Sequence, residues 1–425
     1  EDGFKIDRKL GNEDWMIVLA SLTENDTTWT DTSAVPNTII KYRVYAFRDE
    51  YNSASVMEEI VNNLSDITNF QVIQKSTNSV KLIWTDNNKG EEGFIIDRRV
   101  EDGDWEYQYS VIGENTEMSL DIDIDLWNRY YYRLYAFYHN YISNSVEDSI
   151  FIKTSDKVRV VPFEYSTISG AMSNTINGDT ILVLPGVYVG HTRSYGYNVV
   201  LGSLFIYTGE NAYKEQTILD GDGTDYGKVL SFEDGENSSC VVSGFTIISE
   251  GAWHSSGIYI VDSSPTISNN IIKKIHTGIT CIRSASLIID NSISDQIYQG
   301  SSGIRCSDSP SVIIKNNNIY KYRDGISLTN SSLSIINNNI CKNRITGIRL
   351  SNSSPLIENT IIISDTAGAY LPQNITTLND NSNPTIRYSL IQQGFPTLEL
   401  LFGQTVELQG TDGGGYLWEL CSRGY

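Results

Sequence analysis

The chain has few cysteines and no long apolar segment, and each absence excludes a class of protein. Its five cysteines, at positions 240, 281, 306, 341 and 421, show neither the spacing of a metal site nor that of a disulfide-rich domain. No stretch approaches 18 consecutive apolar residues, so no membrane-spanning segment is expected. The N-terminus shows no signal peptide, and Glu1 is expected to be the boundary of a fragment rather than a natural start.

A repeat of about 22 residues is the strongest pattern that the sequence contains. Gly-Ile pairs recur in register at Gly257, Gly278, Gly303, Gly325 and Gly347. Asn-rich steps recur in the same rhythm at Asn269, Asn291, Asn317, Asn338 and Asn359. A unit of this length, rich in Ile, Ser and Asn, has room for two or three short strands and no helix. The repeat therefore predicts one turn of a β-solenoid per unit.

Apolar and polar residues alternate within each unit, which predicts the two faces of a strand. The inward positions are predicted to be Ile258, Ile279, Ile304, Ile326 and Ile348. The outward positions are predicted to be Tyr259, Thr280, Arg305, Ser327 and Arg349. Like residues would stack at about 4.8 Å along the axis. Stacked Asn side chains suit the bends because Asn tolerates the left-handed conformation and its amide forms ladders.

These residues resemble a right-handed parallel β-helix of the pectin-lyase-like class, with the repeats of many secreted bacterial proteins. The segment 165–188 resembles the helix-turn-strand cap of such solenoids, with Ile168, Met172 and Ile176 at helical spacing. The resemblance covers roughly residues 157–395. It implies an extracellular or cell-surface protein.

The first 155 residues carry a second repeat, with an offset of 90 residues. Residues 1–8 match residues 91–98, Trp15 matches Trp105, and residues 42–47 match residues 132–137. Length and strand pattern argue for β-sandwiches, and the matched segments, with Trp84, resemble fibronectin type III modules. The first copy has no counterpart of residues 64–90, so it is expected to lack its opening strands and to expose a sheet edge.

The overall prediction is an all-β chain of four segments. They are an incomplete fibronectin type III module at 1–63, a complete one at 64–155, the β-helix with its cap at 156–395, and an atypical C-terminal segment at 396–425. The last segment is a solenoid cap, a subunit contact or a foreign tail. Sequence does not choose among these three.

The net charge of −21 is unevenly distributed. Residues 1–155 carry 28 acidic and 14 basic side chains, whereas residues 271–350 carry four acidic and ten basic ones. A basic strip attracts polyanions, but the acidic remainder disfavours nucleic acid. Uronate-containing polysaccharide or an acidic surface protein is the expected partner. Solvated turns that are merely basic explain the same pattern.

The loops that precede the Gly-Ile pairs are predicted to fall on one side of the solenoid and to form a glycan groove. Aromatic rings stack on sugar rings, and Arg binds carboxylates in two places at once. The candidate glycan-binding residues are Trp253, His254, His276, Tyr298, Tyr322, Arg323 and Arg344. Unrelated loop residues brought together by the fold are the alternative interpretation.

The signals for catalysis and for metal binding are weak. The resemblance implies that hydrolases of this class use closely spaced Asp residues, whereas lyases use a Lys or Arg base, often with Ca²⁺. The chain contains no Asn-Thr-Asp, Asp-Asp or Gly-His-Gly motif, which leaves Arg305 and Arg349 as candidate lyase bases. Asp121, Asp123 and Asp125 alternate onto one predicted strand face and form a weak candidate metal site. No cofactor is expected, and Ca²⁺ is the one ion left open.

Three functions fit the sequence. The first is a secreted or cell-surface bacterial protein that binds glycans or neighbouring proteins without catalysis. The second is a polysaccharide lyase or hydrolase that acts on uronate-containing polysaccharide. The third is a structural subunit that assembles through its chain ends into an extracellular filament or surface layer.

Overall fold

The computed structural model describes the whole chain except residues 35–37, 63, 223–226, 250–254, 295–301, 365–372, 378–381, 393–397, 401–403 and 407–425. The chain divides into two compact units, Glu1–Thr154 and Ser155–Tyr425. None of the helices in the described ranges is long and apolar enough to cross a bilayer.

The first unit begins with one antiparallel sheet in the strand order β2-β1-β3-β4, with β5 paired to β3. Its strands are β1 (Gly3–Leu10), β2 (Met16–Thr23), β3 (Thr38–Arg48), β4 (Tyr51–Asn52) and β5 (Val56–Asn62). No described strand lies across this sheet, as the missing counterpart of residues 64–90 predicts.

Two facing sheets form the rest of the first unit. Its strands are β6 (Thr68–Ser76), β7 (Ser79–Thr85), β8 (Gly93–Val100), β9 (Glu106–Gly113), β10 (Met118–Asp121), β11 (Arg129–Tyr138), β12 (Tyr141–Ile142) and β13 (Val146–Phe151). One sheet has the order β10-β7-β6, and the other has the order β12-β11-β8-β9 with β13 on β11. Val80, Leu82 and Trp84 of the first sheet share a core with Phe94 and Leu134 of the second.

The second unit is a solenoid whose coils contribute strands to three parallel sheets. The ten-stranded sheet contains β14 (Val158–Val161), β15 (Thr180–Val183), β18 (Val200–Ser203), β21 (Val241–Ser243), β24 (Thr266–Ser268), β27 (Leu287–Ile289), β30 (Ile313–Lys315), β33 (Ser334–Ile336), β36 (Leu356–Glu358) and β39 (Thr385–Arg387). The eight-stranded sheet contains β17 (Thr192–Arg193), β20 (Lys228–Phe232), β23 (Ser256–Val261), β26 (Thr277–Ile282), β29 (Ser302–Ser307), β32 (Asp324–Thr329), β35 (Thr346–Ser351) and β38 (Gln373–Thr377).

The third sheet has eleven strands, of which the last two are antiparallel. They are β16 (Gly186–Val189), β19 (Thr217–Asp220), β22 (Thr246–Ile248), β25 (Ile271–Lys273), β28 (Ser292–Ser294), β31 (Asn318–Tyr320), β34 (Asn339–Asn343), β37 (Ile361–Ser364), β40 (Leu390–Gln392), β41 (Leu398–Leu400) and β42 (Gln404–Val406). The last two strands fall in the segment that the sequence singles out as atypical.

The helices of the described chain are short and lie near the start of the solenoid: α1 (Ile168–Ser173), α2 (Phe205–Thr208) and α3 (Ala212–Gln216). Thr167 caps α1 by accepting a hydrogen bond from the Gly170 amide at 3.0 Å. Ile168 and Met172 are buried as predicted, but α1 ends at Ser173, so Ile176 lies beyond the helix and is 61% exposed.

The strand register confirms the predicted inward and outward positions. Ile258, Ile279 and Ile304 pair in sequence across β23, β26 and β29, and all three are fully buried. Cys281 and Cys306 also pair in register inside the solenoid, where both are free thiols. Parity therefore places the apolar residues in one continuous core along the axis.

Two neighbouring residues have different structural roles at each Asn-rich bend. The first has a left-handed backbone, with φ of 56° at Asn269 and 58° at Asp290. The second joins a buried amide ladder, in which the Asn270 Nδ2 donates to Asn291 Oδ1 at 3.1 Å, and the Asn291 Nδ2 donates to Asn317 Oδ1 at 3.0 Å. The sequence alignment placed Asn269 opposite Asn291, but the structure places Asn270 there. The predicted register is therefore wrong by one residue at this bend.

Candidate functional site

The eight-stranded sheet carries two columns of polar side chains, which together form what we call the outer face. The first column comprises Lys228, Ser256, Thr277, Ser302, Asp324 and Thr346. The second column comprises Ser231, Tyr259, Thr280, Arg305, Ser327 and Arg349. Each column advances by one strand spacing, about 4.8 Å, per coil. The outer face is therefore a regular array of polar side chains along the solenoid axis, in which Lys228, Tyr259, Arg305, Ser327 and Arg349 reach solvent and the remaining members are buried.

The two columns touch each other diagonally, from one coil to the next. Ser256 Oγ and Thr280 Oγ1 are 3.0 Å apart, and the Arg349 Nε lies 3.5 Å from Asp324 Oδ2. The Lys228 ammonium lies 3.7 Å from the centre of the Tyr259 ring. A residue of the first column thus contacts the second-column residue of the next coil in all three cases. The contact is a hydroxyl pair, an ion pair or a cation–π contact, depending on the coil.

Asp324 is the buried acid of the outer face. Its side chain is 6% exposed, and its Oδ1 has no hydrogen-bond partner among the described residues. Burial raises the pKa of Asp324, while the positive charges of Arg349, Arg323 and Arg305 and a hydrogen bond with Thr346 act in the opposite direction. A buried carboxyl oxygen without a partner is unusual, because nearly all buried polar groups are hydrogen-bonded.

Three arginines act electrostatically on this acid. Arg305 is exposed and pairs in register with Ser327, which pairs in turn with Arg349. The two arginines are therefore two coils apart, roughly 10 Å along the axis. Arg323 precedes Asp324, and its Nε is buried without a hydrogen-bond partner in the described part of the chain. Three guanidinium groups around one carboxyl leave an excess of positive charge, which suits anionic ligands.

A second charged group lies at the N-terminal end of the same sheet. The Lys228 Nζ donates to Glu233 Oε1 at 2.8 Å, and His191 Nε2 lies 2.8 Å from Ser231 Oγ. Burial raises the pKa of Glu233, but the hydrogen bond and charge of Lys228 hold it below its ordinary value. Burial, reinforced by the charge of Lys228, lowers the pKa of His191, which favours a neutral ring.

The structure separates the predicted glycan-binding residues into three groups. Trp253, His254 and Tyr298 lie outside the described residues. Arg323 adjoins Asp324, and Arg344 is exposed in the turn before β35.

His276 and Tyr322 are buried and do not offer ring faces to a ligand. His276 is 8% exposed, and Tyr322 is fully buried. A side chain at Gly303 would come within 3.3 Å of the Tyr322 ring, so this glycine leaves the space that the ring fills. The prediction that Tyr322 stacks on a sugar is therefore wrong, because its ring is a core residue.

The aspartates of the second module do not share one strand face. β10 ends at Asp121, so Asp123 and Asp125 follow in a segment without strand pairing. Asp121 is 3% exposed and accepts hydrogen bonds from the Tyr132 hydroxyl at 2.7 Å and from the Arg98 guanidinium at 3.1 Å. The buried carboxylate is thus held by protein donors, which corrects the prediction of a shared metal-binding face. In the described ranges, no three His, Cys, Asp or Glu side chains are placed to hold a metal ion.

Sequence analysis missed the role of Asp324, although a signal for it exists. Asp324 directly precedes Gly325, at the position where Ser256, Thr277 and Thr346 precede their own glycines. One acid in a column of hydroxyl residues is the visible departure. An alignment of the repeats on their Gly-Ile pairs shows this acid directly before the glycine.

Part of the solenoid matches a protein family, and solved structures are similar to parts of the chain. The family described as "Right handed beta helix region" matches residues 256–412. An exopolygalacturonase of family 28 from Yersinia enterocolitica is similar in structure, with 10% identity, a TM-score of 0.36, and coverage of 76% of this chain and 90% of that one. A two-domain fibronectin type III segment of chicken tenascin shows 8% identity and a TM-score of 0.26, and the match covers 35% of this chain and 84% of that one.

No curated protein sequence matches the chain. The family match agrees with the β-helix resemblance found in the sequence, and the observed sheets agree with both resemblances. The chain thus consists of fibronectin type III-like modules followed by a right-handed parallel β-helix.

Proposed function

We propose that the outer face binds an acidic, uronate-containing polysaccharide outside the cell. The observation that carries the proposal is the group of Arg305, Arg323 and Arg349 around the buried Asp324. Guanidinium groups bind carboxylates through paired, charge-assisted hydrogen bonds. The Ser327 hydroxyl supplies a further donor and acceptor between Arg305 and Arg349.

The direction of the columns favours a polymer over a small anion. Outward side chains repeat at each coil along the axis, so a chain laid parallel to the axis would meet a similar polar row at every step. Arg305 and Arg349 would contact two different carboxylates of such a chain. Two charge-assisted contacts are worth roughly 1.5–3 kcal/mol each, which corresponds to at least about a tenfold change in affinity per contact.

Calorimetric titration with polygalacturonate tests this proposal. Replacing both Arg305 and Arg349 by Ala should weaken binding at least about a hundredfold. Arg387→Ala is the matched control, because Arg387 is exposed on β39 of a different sheet. Asp324→Asn is a second test. It removes a negative charge beside the arginines, so the affinity for polygalacturonate should stay equal or increase. Equal losses for the double variant and the control, or no binding by the unaltered chain, would refute the proposal.

A lyase reaction is the second candidate, favoured by the raised pKa of Asp324 beside Arg349. In β-elimination, a base removes the proton at C5 of the uronate, a C4–C5 double bond forms, and the glycosidic oxygen leaves C4. In its protonated form, the Asp324 carboxyl would supply the proton that the departing oxygen takes up, with Arg305 or Arg349 as the base. Growth of the ultraviolet absorbance of the unsaturated product, with and without Ca²⁺, would reveal turnover. Of Arg305→Ala and Arg349→Ala, the variant that removes the base should abolish that signal, whereas a flat trace for the unaltered chain would leave binding alone.

A further inference from the structure

A cleft lies on the eleven-stranded sheet, on the side that faces away from the solenoid core. Its volume is about 630 Å³, and its lining extends from α3 and β19 across β22, β25 and β28 to β31. Its floor residues alternate along the strands with the core residues Ile247, Ile272 and Ile293. Volumes of this size are typical of small-molecule sites. We call this surface the lysine cleft.

One end of the lysine cleft combines an apolar floor with an acidic wall. Ile248 and Ile271 line the floor and are partly exposed. The wall is α3, which is held on the sheet because the Thr246 hydroxyl donates to the Lys214 carbonyl at 2.8 Å. Glu215 of this helix is exposed and lines the cleft. A carboxylate on the wall can accept hydrogen bonds from ligand hydroxyl groups.

Lys273 places a positive charge in the middle of the floor. It follows Ile271 and Ile272 on β25 and pairs in register with Ser294 of the next coil. Its half-buried ammonium group forms no ion pair with any of the residues that the structure describes. Lys274 also lines the cleft and adds a second positive charge. An ammonium group beside isoleucines, without a counter-charge in the described chain, favours an anionic ligand group.

The other end of the lysine cleft carries hydroxyl groups and an aromatic ring. Ser292 and Ser294 of β28 line it, and Tyr320 lies on β31 of the following coil. Hydroxyl groups both donate and accept hydrogen bonds, and a tyrosine ring offers an apolar body with a polar tip. Such groups suit a ligand that has many hydroxyl groups and an apolar ring face.

From these groups we infer that the lysine cleft binds a short acidic oligosaccharide, of about two or three uronate units. A uronate carboxylate would bind the ammonium groups of Lys273 and Lys274. Sugar hydroxyl groups would donate to Glu215, and the C–H face of a sugar ring would lie on Ile271. The inference stands apart from the outer face, because β25 and β28 belong to a different sheet.

Calorimetric titration of the full chain with trigalacturonate tests the inference. Lys273→Ala should weaken binding at least about tenfold, because it removes a charge-assisted contact, whereas Lys273→Arg should retain most of the affinity. Lys315→Ala is the matched control. Lys315 ends the same Ile-Ile-Lys sequence on β30 of the ten-stranded sheet, and it is half-buried like Lys273. Maltotriose, a neutral trisaccharide, should bind at least about tenfold more weakly than trigalacturonate.

Methyl-resolved NMR of protein labelled at Ile Cδ1 locates the site. Trigalacturonate should shift the signals of Ile248 and Ile271 and leave that of Ile313, which is exposed on the ten-stranded sheet, unchanged. The same shifts should persist when Arg305 and Arg349 are both replaced by Ala, so failure of the outer face and failure of the lysine cleft are separate results.

Circular dichroism of Lys273→Ala verifies that the variant is folded. Absence of trigalacturonate binding, equal binding of maltotriose, or equal losses in Lys273→Ala and Lys315→Ala would overturn the inference. Unchanged signals of Ile248 and Ile271 at saturation would overturn it as well.

Discussion

Replacing Asn291 by Ala should destabilise the solenoid far more than its small change in volume implies. The Asn291 side chain is buried at 2% exposure. Its Nδ2 donates to the carbonyl groups of Ile267 and Ile289, both at 2.9 Å. Its Oδ1 accepts from the Asn270 amide at 3.0 Å and from the Asn270 Nδ2 at 3.1 Å. Alanine removes all of these contacts and leaves buried partners without water.

The expected loss follows from those contacts. A typical hydrogen bond contributes about 0.5–1.5 kcal/mol, and a buried group left unsatisfied costs about 1–3 kcal/mol. We therefore expect Asn291→Ala to lower the free energy of unfolding by roughly 3–5 kcal/mol. Thr360 occupies the equivalent ladder position and accepts from the Asn338 amide at 3.3 Å. Asn291→Thr should retain this acceptor and lose roughly half as much.

Hydrogen exchange in urea, followed on peptides from residues 256–294, measures this loss within the solenoid. Asn383→Ala is the control, because Asn383 is exposed. It should change the opening free energy of those peptides very little. A loss below about 1 kcal/mol for Asn291→Ala, or an equal loss for the control, would refute the ladder as a main source of stability.

Two further predictions concern other parts of the chain. Burial raises the pKa of Asp31, but hydrogen bonds from Tyr42, Ser33 and Arg8 lower it to about 2. Its contribution of about 2 kcal/mol is present above pH 4 and is lost as the pH falls towards 2, so acid unfolding of the first sheet should shift to higher pH in Tyr42→Phe. Gly303→Ala would place a Cβ 2.5 Å from the Ile319 Cγ2 and should cost about 1–3 kcal/mol in urea unfolding, whereas Gly113→Ala, with no atom within 4 Å, should not.

Sequence predicted the solenoid well because its physical requirements repeat in every coil. The parity of Ile258 and Ile279 and the recurrence of Asn at the bends each follow from one local rule, applied many times. The predicted register was wrong by one residue where two adjacent polar residues could each occupy the ladder position. Asn269 and Asn270 illustrate this, since only backbone conformation decides which of them turns the chain and which joins the ladder.

The candidate site was less predictable, because it depends on contacts between different coils. Arg305 and Arg349 were found by parity alone, whereas the diagonal contact between Asp324 and Arg349 depends on the stagger of neighbouring strands. Tyr322 was misplaced for a related reason. Its ring is accommodated by the missing side chain of Gly303, which lies on the preceding coil.

Hydrogen exchange with and without polygalacturonate tests the central claim most directly, because it locates binding on the chain. The account predicts protection at β29, β32 and β35, where Arg305, Asp324 and Arg349 lie. It also predicts that Arg305→Ala combined with Arg349→Ala removes this protection, and that β30 and β33 on the ten-stranded sheet are unaffected. Protection confined to another sheet, or an unchanged pattern in the double variant, would contradict the assignment of the outer face as the polysaccharide-binding surface.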